Sequence, residues 1–380
     1  MGSIKWSPTS APLRDESPGT IVCGSPGSGK TFAMQNFAIN ALGMGQRVIV
    51  IDPKDDFAKI QRIVPNVKVI DVKNIIPGAL NPFTFLRTKY SDGSIQQVSS
   101  AIIENIVSIL SGPSLMKEEN ERFVSPIIQD FVGESSRKLV TLYQLTDYLA
   151  FTDNDICRSI AVQLQKYMEH SFELGNLLFE QNVNIKPLEI SDSDNIVFTF
   201  NGMSLPPYDK KPSEYDGTER FVSALVYIIC TKLKNMLFAH KHTIPVLFIC
   251  DEAHMLFSNK EMKSLIDDFL RLGRSYHIAT MLASQGITHF PSDIANYMSS
   301  KFIFKSSRDE AQEFINRFDD TKGSANPLNV SATVNAISNL PKGYCFMIDA
   351  RNRNGFIHIT SQYDLKLFAG EYKPNEVVKV

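Results

Sequence analysis

The stretch IVCGSPGSGKTF, residues 21–32, decides the fold of this 380-residue chain. Within it, GSPGSGKT (24–31) fits the pattern G-x-x-x-x-G-K-[ST] at every fixed position, and an apolar run precedes it. Glycines let the backbone curl until its N–H groups face a phosphate, and a following helix adds a partial positive charge there. Lys30 is then placed to reach the β- and γ-phosphates, and Thr31 to ligate Mg²⁺. The sequence therefore predicts a phosphate-binding loop between a strand and a helix.

Outward from this loop, apolar runs alternate with segments of helical periodicity. RVIVID (47–52) and VKVIDV (67–72) indicate buried strands. Further strands are predicted within 194–202, 245–254, 277–285, 301–305, 343–349 and 355–360, and helices at 218–240, 260–272 and 308–318. This alternation predicts an α/β fold with a mostly parallel central sheet of eight or nine strands.

Residues 91–185 carry a different pattern, in which strand signals are weak. Apolar residues recur there at helical spacing, at Ile95, Val98, Ile102, Ile106 and Ile109. TLYQLTDYLA begins at Thr141 like a capped helix, and 154–170 is a third helical segment. We therefore predict an irregular arm at 1–18, a first part of the core at 19–90, an inserted all-α subdomain at 91–185, a second part of the core at 186–370 and a tail at 371–380.

Composition limits the classes of function. With 43% hydrophobic residues the chain is not disordered, and Lys+Arg 39 against Asp+Glu 41 gives a net charge of −2, so any nucleic-acid contact requires a local basic patch. The five cysteines form no CxxC pair and mostly lie in apolar runs, which predicts buried thiols in a reduced, cytosolic protein. The sequence contains no run of 18 apolar residues, so it predicts no membrane span. The first residues lack the apolar core of a signal peptide.

VLFICDEAH (246–254) supplies a second motif, because an apolar run ends in two acids where a parallel strand should end. Ligands of open α/β sheets bind at that edge. Asp251 would hold Mg²⁺ through a water, and Glu252 is placed to polarise an attacking water. The alternative is that either acid caps a helix. His254 has no evident partner, which favours a structural role.

Three further features leave alternatives open. HIATMLASQ ends at Gln285, which either lies beside the γ-phosphate or simply ends a strand. Arg271 and Arg274 precede that strand, and they are either surface residues or an arginine finger that reaches a neighbour's nucleotide in a ring. Asp52, at the end of RVIVID, either caps a turn or contributes to function.

Together these motifs resemble the HerA/FtsK superfamily of ring-forming P-loop ATPases, and within it the type IV secretion and conjugation ATPases (TraC/TrwK, VirB-operon family). The likeness is carried by IVCGSPGSGKTF (21–32), VIVIDPKDDF (48–57), GALNPFTFL (78–86), LGNLLFEQ (174–181), NIVFTFNGMSLP (195–206), FICDEAH (248–254) and LRLGRSYHIATMLASQ (270–285). The family often has Thr-Gln where this chain has Ser284-Gln285. Its full-length members carry an amino-terminal domain before the motor core, so we expect an excised motor domain or a shorter relative.

The resemblance implies an α/β fold of the RecA-like P-loop NTPase type with an inserted all-α subdomain. It also implies ATP as the nucleotide and Mg²⁺ as the cofactor, with the metal at Thr31 and Asp251. The implied nucleotide-binding residues are Gly24, Ser25, Pro26, Gly27, Ser28, Gly29, Lys30, Thr31 and Phe32.

The resemblance also implies a catalytic set. Lys30 would bind the phosphates, Glu252 would be the catalytic carboxylate and Gln285 the γ-phosphate sensor. Counting back from Gln285, Arg274 falls where FtsK-like motors carry their arginine, and Arg271 is the competing candidate.

The implied function is an ATPase that energises a conjugative type IV secretion channel at the inner, cytoplasmic face of the cell membrane. Its partners would be copies of itself in a hexameric ring, which an isolated domain could lack as a monomer, and secretion-channel proteins that attach it to the membrane peripherally. The alternatives are an FtsK/HerA-like DNA translocase or coupling protein, with DNA as partner, and a nucleotide-dependent scaffold with little turnover. The near-neutral charge argues weakly against DNA.

Overall fold

The computed structural model describes residues 6–10, 17–89, 95–135, 138–169, 172–257, 260–295, 297–319 and 329–360. The predicted tail at 371–380 and most of the predicted arm at 1–18 lie outside the described residues. The division of the chain into arm, core, insertion and tail stays a prediction.

A nine-stranded sheet forms the centre of the described part of the chain. Its strands are β1 (Gly19–Cys23), β2 (Arg47–Asp52), β3 (Val67–Asp71), β6 (Asn195–Thr199), β7 (Val246–Cys250), β8 (Ile278–Ser284), β9 (Met298–Phe304), β10 (Tyr344–Ile348) and β11 (Asn354–His358), and β4 (Thr88–Lys89) and β5 (Ile95–Gln96) form a separate antiparallel pair. The order across the sheet is β11-β10-β9-β1-β8-β7-β2-β6-β3. In this order, the seven strands from β9 across to β3 are all parallel to one another. At the other edge, β10 pairs with β9 and β11 pairs with β10 in antiparallel fashion. The predicted α/β fold with a mostly parallel sheet is confirmed.

The sheet is buried on both faces, as a parallel sheet requires. Ile21 and Cys23 of β1 belong to one apolar cluster, and Val22 between them belongs to another on the opposite face. Continuous apolar strands such as VLFIC satisfy both faces at once, which explains why the strand predictions depended on runs rather than on alternation.

Helices cover the two faces. They are α1 (Lys30–Gly43), α2 (Pro82–Phe85), α3 (Ser100–Ser111), α4 (Glu118–Ser135), α5 (Leu142–Ala150), α6 (Asp155–Gln165), α7 (Asn176–Phe179), α8 (Gly217–Leu237), α9 (Lys260–Tyr276), α10 (Ser292–Ala295), α11 (Arg308–Phe318) and α12 (Val330–Ser338), with short 3₁₀ helices between them. Helix α1 packs on one face, and α8 and α9 pack on the other. None of the described helices is both long and apolar enough to cross a bilayer.

Helices α3 to α7 lie within the predicted insertion. The side chain of Thr141 accepts a hydrogen bond from the backbone N–H of Gln144, so the predicted capped helix begins there. Two of the predicted helical positions are wrong: Ile95 lies in β5, and Val98 precedes α3, which begins at Ser100 after the cap Ser99. Pairing of β5 with β4 competes with the helical periodicity, and such pairing is not visible in a local pattern.

All five cysteines are buried and unpaired, as predicted. They are spread over the molecule, with Cys23 in β1, Cys250 in β7 and Cys345 in β10, and with Cys157 in α6 and Cys230 in α8.

Candidate functional site

The three central motifs meet at one edge of the sheet because their strands are adjacent and parallel. β8 lies between β1 and β7, and the register pairs Cys23 with Ser284 and Cys250 with Leu282. The loop after β1, the acids after β7 and Gln285 after β8 therefore all emerge at the carboxyl edge. This edge is where open α/β sheets bind ligands.

The loop between β1 and α1 is held by its backbone. The N–H of Ser25 donates to the carbonyl of Lys305 (2.8 Å), and the N–H of Gly343 donates to the carbonyl of Ser28 (3.1 Å). Gly29 has φ +109°, and a Cβ there would lie 3.1 Å from the nitrogen of Gly343. Glycine is thus required by conformation and by space, and the neighbours β9 and β10 fix the loop from outside.

Lys30 is the first residue of α1 and is only 7% exposed. Its Nζ donates to the carbonyls of Gly24 and of Ser25, the latter at 3.2 Å. Burial lowers the pKa of Lys30, and the acids Asp251 and Glu252 oppose that shift. The ammonium is therefore folded against the loop that would receive an anion.

A pair of oxygens suits Mg²⁺. Thr31 Oγ1 donates to Asp251 Oδ2 at 3.2 Å, and Asp251 is 2% exposed. Burial, reinforced by the charge of Glu252, raises the pKa of Asp251, so this carboxylate gains from a nearby cation. Within the described residues, the buried Ser28 Oγ has no hydrogen-bond partner. Hard oxygen donors beside a phosphate loop fit Mg²⁺, which proteins bind through one or two side chains together with substrate phosphates.

Glu252 carries the most constrained carboxylate of the site. Its backbone has φ +51°, which is uncommon for a residue with a side chain. Oε1 accepts from Lys54 Nζ and, at 3.3 Å, from Gln285 Nε2, while His254 Nδ1 lies 3.3 Å from Oε2. Although burial acts to raise it, the pKa of Glu252 is lowered to about 2, because His254 and Lys54 favour the ionised form.

The remaining predicted nucleotide-binding residues lie along the same loop. Pro26 and Gly27 are exposed, whereas Phe32 on α1 is partly buried and packs against the apolar cluster around Val22. The structure thus brings Gly24 to Thr31 together with Asp251, Glu252 and Gln285, and it turns Phe32 towards the core.

The two predicted arginines do not join this group. Arg271 and Arg274 are exposed near the end of α9, which packs against the start of β8. Gln285 follows the far end of that seven-residue strand, a separation of about 20 Å at the usual rise per residue. Neither arginine reaches the nucleotide loop of its own chain.

Sequence reasoning missed Lys54 and gave His254 no partner. Lys54 follows β2, which lies beside β7, so the turn after β2 meets the acids after β7. Asp52 caps that turn by accepting from the N–H groups of Lys54 (3.1 Å) and Phe57 (2.7 Å), and burial raises its pKa to about 7. The motif Asp-Pro-Lys at a strand end was the available signal, but the neighbour of that strand could not be read from the sequence.

Comparisons with known proteins give a family and a shared fold. The profile of the AAA-like domain family matches residues 13–369. The fold is similar to VirB4 of Thermoanaerobacter pseudethanolicus, with a TM-score of 0.69 at 16% identity over 93% of this chain and 92% of that one. It is also similar to the bacterial conjugative coupling protein TrwBΔN70 in its unbound form, with a TM-score of 0.59 at 15% identity over 92% and 86%. TrwB in complex with ADP and Mg²⁺ gives a TM-score of 0.53 at 15% identity over 92% and 87%. Comparison with curated proteins gives no match.

The fold and the loop define a P-loop NTPase with a RecA-like core. The chain belongs to the AAA-like domain family.

Proposed function

We propose that this chain is an ATP-hydrolysing motor that energises a conjugative type IV secretion channel, in its assembly or in substrate transfer. The observation that carries the proposal is the convergence of the P-loop, the acids after β7 and Gln285 at one sheet edge, in a fold shared with VirB4. The motor would work as a ring, hexameric by the resemblance, at the cytoplasmic face of the membrane, to which secretion-channel proteins would attach it.

The chemistry follows from the side chains in place. Lys30 would turn from the loop carbonyls to the β- and γ-phosphates, and Thr31 and Asp251 would hold Mg²⁺, which neutralises phosphate charge when bound. Water would attack the γ-phosphorus while the bond to the β-γ bridging oxygen breaks, giving ADP and phosphate. Glu252 would accept the proton of that water, and Gln285 would orient it.

The proposal that this chain is an ATPase is tested by measuring ATP hydrolysis and nucleotide binding. Lys30→Ala should reduce turnover to background and weaken ATP binding, because the buried ammonium beside the loop is lost. Lys186→Ala is the matched control, since Lys186 is 78% exposed and forms its ion pair with Glu189, a surface residue in the same loop. If the wild-type chain hydrolyses no ATP in any assembly state, the motor proposal fails.

The second test concerns the proposed ring and the two arginines that could act between its subunits. Because Arg271 and Arg274 lie at the edge opposite the P-loop of their own chain, an arginine finger would have to serve a neighbouring subunit. Arg274→Ala should bind nucleotide normally but lose oligomer-dependent turnover, by about 10³-fold if it acts as arginine fingers do elsewhere. Sizing with and without a nonhydrolysable ATP analogue establishes the assembly state. Normal turnover of assembled Arg274→Ala would move the role to Arg271 or to neither.

A second candidate, a DNA translocase or coupling protein, is favoured by the fold shared with TrwB. It predicts that double-stranded DNA accelerates hydrolysis and that the acceleration falls steeply with salt. If DNA leaves turnover unchanged at every salt concentration, the DNA translocase hypothesis is contradicted and the secretion motor is favoured.

A further inference from the structure

Lys54 forms an ion pair with the carboxylate proposed as the catalytic base, yet it belongs to neither the P-loop nor the acidic motif after β7. Its side chain is 50% exposed, whereas that of Glu252 is 7% exposed. A half-exposed lysine keeps part of its hydration in the ion pair, so it can leave for solvent or for another anion more readily than a buried lysine could.

The backbone that carries Lys54 is fixed. Asp52, which has no exposed surface, accepts from the N–H of Lys54 and of Phe57, and Gln35 of α1 donates to the carbonyl of Asp56 at 2.9 Å. The turn is therefore tied to the strand and to the helix that begins at the P-loop. Only the side chain of Lys54 is left to move.

In this arrangement Oε1 of Glu252 is occupied twice, by Lys54 and by Gln285. His254 lies beside the other oxygen, and among the described residues Asp251, Lys30 and His289 also interact electrostatically with the carboxylate. A water that Glu252 is to activate needs one of these carboxylate oxygens. Of the groups on Oε1, Lys54 is the one whose departure also removes the opposing charge.

The phosphate loop lies close to Lys54. Lys54 contacts Glu252, and the adjacent Asp251 accepts a hydrogen bond of 3.2 Å from Thr31, which follows Lys30 at the end of that loop. A nucleoside triphosphate in the loop would bring several negative charges to this neighbourhood, against the single charge of Glu252. It would therefore compete with Glu252 for the lysine.

We propose that Lys54 holds Glu252 in a resting-state ion pair while the site lacks nucleotide, and that the phosphates of a bound nucleoside triphosphate compete for Lys54, so that the carboxylate is free for part of the time in which nucleotide is bound. This inference rests on the proposed function. It assigns Lys54 as a positioning residue that restrains basal hydrolysis, and it gives the segment Asp-Pro-Lys (52–54) a role that the motif alone did not show.

Amine labelling tests the ion pair directly. With an acylating reagent and mass spectrometry, Lys59 is the internal reference, since it lies on the same segment, is 34% exposed and pairs with Asp56 at 3.6 Å. Exposure alone predicts faster labelling of Lys54. We expect the reverse in nucleotide-free protein, and an increase at Lys54 of at least about threefold on Glu252→Gln, with Lys59 unchanged. In that variant a nonhydrolysable ATP analogue with Mg²⁺ should slow the labelling of Lys54 again, because the phosphates then pair with the amine. Labelling of Lys54 that is fast in wild type, that Glu252→Gln does not accelerate, or that the analogue does not slow in this variant overturns the proposal.

Kinetics test the consequence. Lys54→Met should raise basal kcat by at least about threefold with little change in KM, Lys54→Arg should stay near wild type, and Lys59→Met is the matched control. A fall in kcat for Lys54→Met would show that the lysine promotes the reaction, which contradicts the restraint. If wild type hydrolyses no ATP, the proposed function fails, but labelling of wild type against Glu252→Gln without nucleotide still decides whether the ion pair exists.

Discussion

The two halves of the candidate site are held in different ways. The P-loop is fixed by backbone hydrogen bonds to Lys305 and Gly343 and by glycines at positive φ. Glu252 is fixed by side chains, namely Lys54, Gln285 and the nearby His254. A cradle made of backbone is preorganised for phosphate before nucleotide arrives, whereas a carboxylate held by side chains can be released. In the proposed motor, this difference would place nucleotide binding and turnover under the control of separate parts of one site.

The largest test of this difference is Glu252→Gln. The amide cannot accept a proton from water, so kcat should fall by about 10²- to 10⁴-fold, as for loss of a general base. ATP affinity should change little, because the backbone cradle is intact. Rapid-quench turnover and equilibrium binding of ATP measure the two quantities, and a parallel loss of affinity would show that the two halves are not separable.

Gly29→Ala should give the converse result in the backbone half. A Cβ would face the nitrogen of Gly343 at 3.1 Å, and alanine disfavours φ +109°. We expect the free energy of unfolding to fall by about 1–3 kcal/mol because of the strained backbone. We also expect ATP affinity to fall tenfold or more, which corresponds to about 1.4 kcal/mol of binding free energy or more. Thermal unfolding and ATP titration provide the measurements. Gly45→Ala, at φ +73° in open space far from the loop, controls for conformational strain alone, and equal binding defects in both variants would contradict the role of Gly29.

The smallest effect is expected at Gln285. Its amide shares Oε1 with Lys54, and it is exposed, so Gln285→Ala should lower kcat by roughly tenfold while ATP affinity and thermal stability stay unchanged. Gln285→Glu would add a like charge beside Glu252 and should be slower still. Steady-state kinetics with both variants decide between a positioning amide and a plain strand end, for which alanine would be harmless.

The fold could be predicted from the sequence because its signals are local. A buried parallel strand is a short apolar run, and GSPGSGKT specifies its own turn. The loop was therefore predicted from residues 21–32, and the sheet from the separate apolar runs along the chain. The segments 251–252 and 285 could be placed at the same edge because parallel strands end together.

The contacts and positions that the sequence analysis missed depend on which strands are neighbours in the sheet. Lys54 reaches Glu252 only because β2 lies beside β7, a pairing between residues some 200 positions apart in the chain that no local pattern encodes. The left-handed backbone of Glu252 is likewise imposed by its surroundings. Ile95 was misplaced for the same reason, since its pairing with the strand Thr88–Lys89 overrides its helical spacing to later residues.

The five buried thiols give the molecule a built-in set of reporters on its own opening. Burial raises the pKa of Cys23 in β1, Cys157 in α6, Cys230 in α8, Cys250 in β7 and Cys345 in β10. A thiol reacts with an alkylating reagent as the thiolate, so each of these is inert until the structure around it opens. The order in which the five thiols are alkylated in native buffer therefore ranks the free energies of local opening around α6, α8 and the strands β1, β7 and β10. No additional cysteine has to be introduced for this measurement. Nucleotide that slows Cys23 and Cys250 but leaves Cys157 unaffected would map the stabilisation onto the strands that carry the site.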